Sequence, residues 1–161
     1  MTYVNGVTMQ GLGDGGGFAL WSFRAIASGC GGCAVLQRGF GTIFGEDGPL
    51  AFEEIRRFTR VLGNAGRRRL LLAEAGCCGV TADELSVVAT LAAAQADDYV
   101  ACKAHLSWLM GGRNEDAGVL AASRAAAVFT QHGWLIAPPA IEITIRDKRV
   151  TGPVSDITGH A

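Results

Sequence analysis

The sequence predicts a mainly α fold: a compact bundle of about five helices with a few short β strands in a minor edge sheet. Three observations point there. Apolar residues recur at helical spacing in successive runs, and glycine, proline and capping residues punctuate those runs where helices would begin and end. Only residues 141–146 (Ile141, Glu142, Ile143, Thr144, Ile145, Arg146) alternate strictly, as a half-buried strand does. The length, 161 residues, is that of one domain, and a chain this long buries roughly 70% of the surface it exposes when unfolded.

Taken in order, residues 1–17 end in Gly11-Leu12-Gly13-Asp14-Gly15-Gly16-Gly17 and are expected to form a flexible glycine-rich arm. A single globular domain is expected over 18–150, followed by a loose tail over 151–161. Phe18, Leu20, Trp21, Phe23 and Ile26 suggest a short helix broken at Ser28-Gly29. A second helix starts near Cys33 and runs through Leu36 and Phe40 to Phe44. Asp47-Gly48-Pro49 then offers a cap with proline at the first helical position, ahead of Leu50, Ile55, Phe58 and Leu62 at helical spacing. Leu70, Leu71 and Leu72 fit either a short buried strand or a helical stub. Thr81-Ala82-Asp83-Glu84 reads as a capping box opening the longest helix, which reaches about Met110 and has a possible break at Asp97-Asp98. Asn114-Glu115-Asp116 caps another helix, with Gly133 as its left-handed stop. The strand at 141–146 needs a partner: 70–73, residues near Val4 to Met9, or a second chain.

Composition narrows the function classes. Apolar residues make up 49% and charged residues 18%, and the formal net charge is −1. There is no global field to draw in nucleic acid or an anionic membrane. The start carries no basic and apolar leader pattern, and the apolar stretch after Thr81 is interrupted by Asp97, Asp98, Lys103 and His105. The expected compartment is a reducing cytoplasm, where five cysteines serve as thiols or ligands and not as a disulfide frame.

Those cysteines are the sharpest chemical signal. Cys30-Gly31-Gly32-Cys33 is a C-x-x-C, and Cys77-Cys78 lies in a second glycine-flanked turn; both precede a helix, where free N–H groups favour thiolate. Together Cys30, Cys33, Cys77 and Cys78 have the donor set for zinc or an iron–sulfur cluster, although adjacent cysteines make an awkward second knuckle. A reactive thiol pair and plain packing are the competing readings, and Cys102, in mid-helix on the apolar stripe, belongs to the core.

Other signals are weaker. Residues 11–16 match G-x-G-x-x-G, but Val7-Thr8-Met9 is a poor strand and positions 31–37 hold no acid, so a dinucleotide fingerprint is not supported. His105 reads as a polar boundary residue, His132 as a cation at a helix end, and His160 as part of the tail. Glu53-Glu54 and Asp97-Asp98 read as solvated faces. Arg56, Arg57, Arg60, Arg67, Arg68 and Arg69 are the only concentration of positive charge, and pairing with Glu53, Glu54 and other acids accounts for them better than RNA or phosphate.

The run from Arg69 through Cys77-Cys78-Gly79-Val80-Thr81-Ala82-Asp83-Glu84 resembles a recurring segment of small alphaproteobacterial cytoplasmic proteins, in which an apolar stretch leads to a cysteine turn and a helix start. An earlier aromatic-arginine helix, here Leu20-Trp21-Ser22-Phe23-Arg24, accompanies it. The resemblance implies one bacterial, mostly helical domain; the family has no assigned activity, so no catalytic residues carry over.

With no catalytic set in view and no cofactor expected, the leading expectation is a non-enzymatic interaction or adaptor protein, acting as a homodimer or docked on a larger protein partner. The alternative is a cysteine-based metal-binding or thiol redox protein.

Overall fold

The computed structural model describes residues 2–66 and 68–139. The fold is mainly α with a small sheet, as the sequence predicts. Among the described residues there are six α-helices and one two-stranded antiparallel sheet: β1 (Tyr3–Thr8), α1 (Gly13–Ala27), α2 (Ala34–Phe44), α3 (Gly48–Ala65), β2 (Gly79–Thr81), α4 (Ala82–Gln95), α5 (Tyr99–Met110) and α6 (Glu115–Gln131). The expected strand at 141–146, the tail with His160, and Arg67 lie outside the described residues.

The glycine-rich segment is not an arm. Tyr3–Thr8 pairs with Gly79–Thr81, Tyr3 opposite Thr81 and Thr8 opposite Gly79, and α1 begins at Gly13, with Gly15 and Gly16 buried. The reason is close packing. A Cβ on Gly15 would overlap the carbonyl of Leu135, so glycine here lets the 134–136 segment lie directly on the helix. Gln95 holds that segment from the other side: its Nε2 donates to the Trp134 carbonyl at 2.8 Å, and its Oε1 accepts from the Ile136 N–H at 2.7 Å. The sheet is antiparallel and α1 serves packing, which removes the dinucleotide reading of residues 11–16.

The single helix expected after Thr81 is two. Asp97 takes a left-handed conformation (φ +57°) and Asp98 caps α5, its Oδ1 accepting from the Ala101 N–H at 3.1 Å. α4 packs against α1, α5 and α6 and is buried on almost every side from Asp83 to Ala94, so it is the central helix and not an amphipathic one. α3 packs against α1, α2 and α6. Phe44 and Phe129 meet edge to face at 5.1 Å, and Phe23 and Phe58 pack in a tilted pair at 5.9 Å, all four buried; each such ring contributes about 1.5–3 kcal/mol through burial. Cys102 lies in this core, and burial pushes its thiol up to about 11.

Two expected caps act elsewhere. Asp47 does not cap α3; its Oδ2 pairs with His132 Nε2 at 2.9 Å, joining the start of α3 to the end of α6. Asn114 does not cap α6; its Nδ2 donates to the Ala65 carbonyl at 2.7 Å and closes the end of α3. Gly111 and Gly133 adopt the left-handed stops expected of them (φ +67° and +73°). No helix among the described residues is long and apolar enough to cross a membrane.

Candidate functional site

The two cysteine turns are built differently. α1 ends in a Schellman motif: Gly29, at φ +91°, donates to the Ile26 carbonyl at 3.1 Å, and Cys30 donates to the Ala25 carbonyl at 2.8 Å. The chain then turns tightly, the Cys33 N–H donating to the Cys30 carbonyl at 3.0 Å, and Cys33 becomes the N-cap of α2. The Gln37 side chain braces the turn by donating to the Gly31 carbonyl at 3.2 Å. This geometry sets Cys30 and Cys33 at the two ends of one tight turn.

Their surroundings set the two sulfurs apart. The Cys30 thiol lowers the pKa of Cys33, as do the N–H groups of Leu36 and Val35 at the start of α2 and the charge of Arg38. Cys30 is pushed the other way, first by its hydrogen bond to Cys33 and then by desolvation. No side chain makes a complete capping bond at the first turn of α2. The helix N-terminus therefore acts on sulfur.

Beside this turn lies an open cleft of about 790 Å³. Gly29, Gly31 and Gly32 form one wall, and Phe52, Arg56, Arg60 and Asn64 of α3 form the other. Glu53, also in the wall, is held by Arg56 through bonds of 3.0 and 3.2 Å, which keeps its carboxyl below the usual range. Arg60 is exposed and makes no ion pair among the described residues.

The second turn is tied down by its backbone. Arg24, fully buried on α1, forms a bidentate ion pair with Glu84, Nε to Oε1 at 2.7 Å and Nη2 to Oε2 at 2.8 Å. The same guanidinium donates to the carbonyls of Cys77 (2.8 Å) and Gly79 (2.7 Å). Glu84 accepts from the N–H groups of Ala73 and Thr81, both at 2.8 Å, and the predicted capping box closes with Glu84 N–H to Thr81 Oγ1 at 3.1 Å. Thr81 donates to the Leu71 carbonyl, and Asp83 accepts from the Leu71 N–H and from Arg68. Residues 70–73 are thus neither strand nor helical stub, because side chains of Thr81, Asp83 and Glu84 take the bonds a β partner would supply.

This second turn meets the β1 end of the chain through the Cys77 thiol and the Cys78 backbone. The Cys78 carbonyl accepts from the Met9 N–H at 2.9 Å, and Cys77 Sγ meets the Tyr3 hydroxyl at 3.5 Å, a contact that raises the pKa of Tyr3. Cys30 and Cys33 lie on the turn before α2. Among the described residues no group of three or more His, Cys, Asp or Glu side chains converges as metal ligands. The expected sharing of one zinc or iron–sulfur site by Cys30, Cys33, Cys77 and Cys78 finds no such grouping among the described residues: Cys77, its carbonyl held by Arg24, meets Tyr3 instead.

The remaining titratable groups are accounted for locally. Arg57 and Arg124 both pair with Glu54, and Arg68, besides its bond to Asp83, lies 4.6 Å over the ring of Trp108. His105 lines a small apolar pocket with Ala101, Leu135 and Ile136, and burial lowers its pKa against the pull of Asp98. Sequence reasoning missed the buried ion pair of Arg24 with Glu84, and it missed Arg60 as the free charge of a cleft. A lone arginine amid Leu20, Phe23 and Ala25 was the available signal for the first; nothing local marked the second. No family model, curated protein or solved structure matches this chain.

Proposed function

We propose that this protein is a thiol–disulfide protein whose reactive pair is Cys33, as nucleophile, and Cys30, as resolving thiol. The observation that supports this reading most is the placement of the two cysteines across one tight turn, Cys33 at the N-cap of a helix whose first turn has no side-chain cap. In the reaction, the Cys33 thiolate attacks one sulfur of a substrate disulfide, forming a mixed disulfide and expelling the other half as a thiolate, which takes up a proton. Cys30 then gives up its proton and attacks the Cys33 sulfur, closing the intramolecular disulfide and releasing the second substrate thiol. The protein dithiol loses two electrons and the substrate disulfide gains them; an external dithiol restores the reduced pair.

Equilibration against reduced and oxidised glutathione, followed by mass spectrometry of the peptide carrying both residues, tests this. A Cys30/Cys33 disulfide forming at a defined ratio supports the pair. Persistent free thiols across all ratios would exclude it.

The interaction reading remains as a second proposal, favoured by large apolar side chains left in solvent on α5 and α6: Val100, 84% exposed, with Tyr99, Trp108 and Leu120. A homodimer covering some of these would sediment as twice the chain mass at micromolar concentration, and Val100→Lys would dissociate it. A monomer at that concentration removes this reading.

A further inference from the structure

Resting on the thiol–disulfide reading, we infer that the cleft between the 29–32 turn and α3 binds a small disulfide or thiol bearing carboxylates, anchored by Arg60. Three features support this class of ligand. The wall formed by the cysteine turn consists of Gly29, Gly31 and Gly32, the chain neighbours of Cys30 and Cys33, and nothing lies within 4 Å of where a Gly32 side chain would begin. A ligand can approach the backbone there and bring its sulfur alongside the residues that flank those glycines. The volume, about 790 Å³, is that of a small-molecule site, and its open form suits a flexible peptide-like ligand better than a rigid aromatic one.

Charge then selects among small disulfides. Glu53 is neutralised by its fork to Arg56, so the wall carries the unpaired positive charge of Arg60 at one end, with the Asn64 amide as a further polar group. Arg38 adds a second positive charge on the Cys33 side. A ligand that carries a carboxylate beyond its sulfur can pair with Arg60 in the cleft wall. A neutral or cationic disulfide gains nothing from Arg60. The exchange itself is the one written above, with the carboxylate-bearing disulfide as oxidant.

The test compares paired reagents of opposite charge on the full chain. Rates of Cys33 modification by iodoacetate and by iodoacetamide, and by the anionic disulfide dithiobis(nitrobenzoate) and the neutral dithiodipyridine, are followed by mass spectrometry at low salt. Arg60→Gln should lower the anionic-to-neutral rate ratio about two- to fivefold, the range of one screened charge contact. Arg60→Lys should restore most of it, Arg113→Gln should leave it unchanged, and salt should erase the wild-type preference. A ratio that ignores Arg60 while Cys33 still outpaces Cys78 toward iodoacetamide overturns the cleft inference and leaves the thiol reading standing. If Cys33 reacts with iodoacetamide no faster than Cys78, the thiol reading itself falls, and this inference with it.

Discussion

The turn before α2 and the turn before β2 and α4 start from similar ingredients, cysteines among glycines ahead of a helix, and reach opposite states. At α4 the N-terminus is fully occupied: Thr81 and Glu84 exchange bonds across the cap, and Glu84 also meets Arg24 at 0% side-chain exposure on both sides. There the Glu84 N–H donates to the Thr81 hydroxyl and the Thr81 N–H to the Glu84 carboxylate, while Cys77 and Gly79 contribute their carbonyls to the knot around Arg24. At α2 the N-cap is Cys33 itself, and the first turn meets sulfur. The difference lies in what occupies the helix start: side-chain oxygens of Thr81 and Glu84 at α4, and a cysteine with no side-chain cap bond at α2.

Breaking the anchored turn should produce the largest effect. Glu84→Gln leaves the charge of Arg24 buried without its partner, and loss of one member of such a pair costs about 3–5 kcal/mol. Urea denaturation should show a midpoint drop large against the roughly 5–15 kcal/mol stability of ordinary domains. A loss under about 1 kcal/mol would mean that water reaches Arg24 and that the two turns differ less than described. Next in size, Thr81→Ala removes both the cap and the bond to the Leu71 carbonyl, for about 1–2 kcal/mol by the same measurement.

How far the sequence foretold this contrast follows from the distance between partners. The capping box was legible because Thr81 and Glu84 are three residues apart, and the stops at Gly111 and Gly133 because left-handed backbone selects glycine locally. The ion pair that anchors the turn joins residues 60 positions apart, and no periodicity reports on such a pairing. Asp47 and Asn114 had the right chemistry for caps, but a closer tertiary partner won each of them. The flexible-arm reading failed at residues 11–17 because glycine's conformational cost was weighed without the close approach of 134–136 that offsets it. For the site, Cys30 and Cys33 were identifiable from spacing alone; their separation from Cys77 and Cys78 was not.

Smaller effects sharpen the comparison at the other turn. Cys30→Ala removes the first cause of the lowered pKa of Cys33, so the pH at which Cys33 alkylation is half-maximal should rise, and its rate at neutral pH should fall. In the wild type, Cys33 should titrate below Cys30. Because the folded state favours the Cys33 thiolate, it adds stability that is present above the ordinary thiol range and lost as pH falls through the folded value. Denaturation midpoints of Cys33→Ser against wild type across that range should converge on the acid side. The smallest effect belongs to the second pair: Cys77→Ser with Cys78→Ser should change stability by no more than about 0.5 kcal/mol, since the knot uses their backbones. A marked slowing of Cys33 alkylation in that double variant would show that the turns are coupled after all.

The clamp that Gln95 places on residues 134 and 136, over the bare backbone of Gly15, also bears on synthesis. A growing chain emerges amino terminus first, so the opening turn of α1 leaves the ribosome long before the segment that covers it. Until residue 136 is available, both Gly15 and the far end of α4 lack their final neighbour. The last-made part of the described chain thereby acts as a keystone, locking together elements laid down near its beginning and its middle.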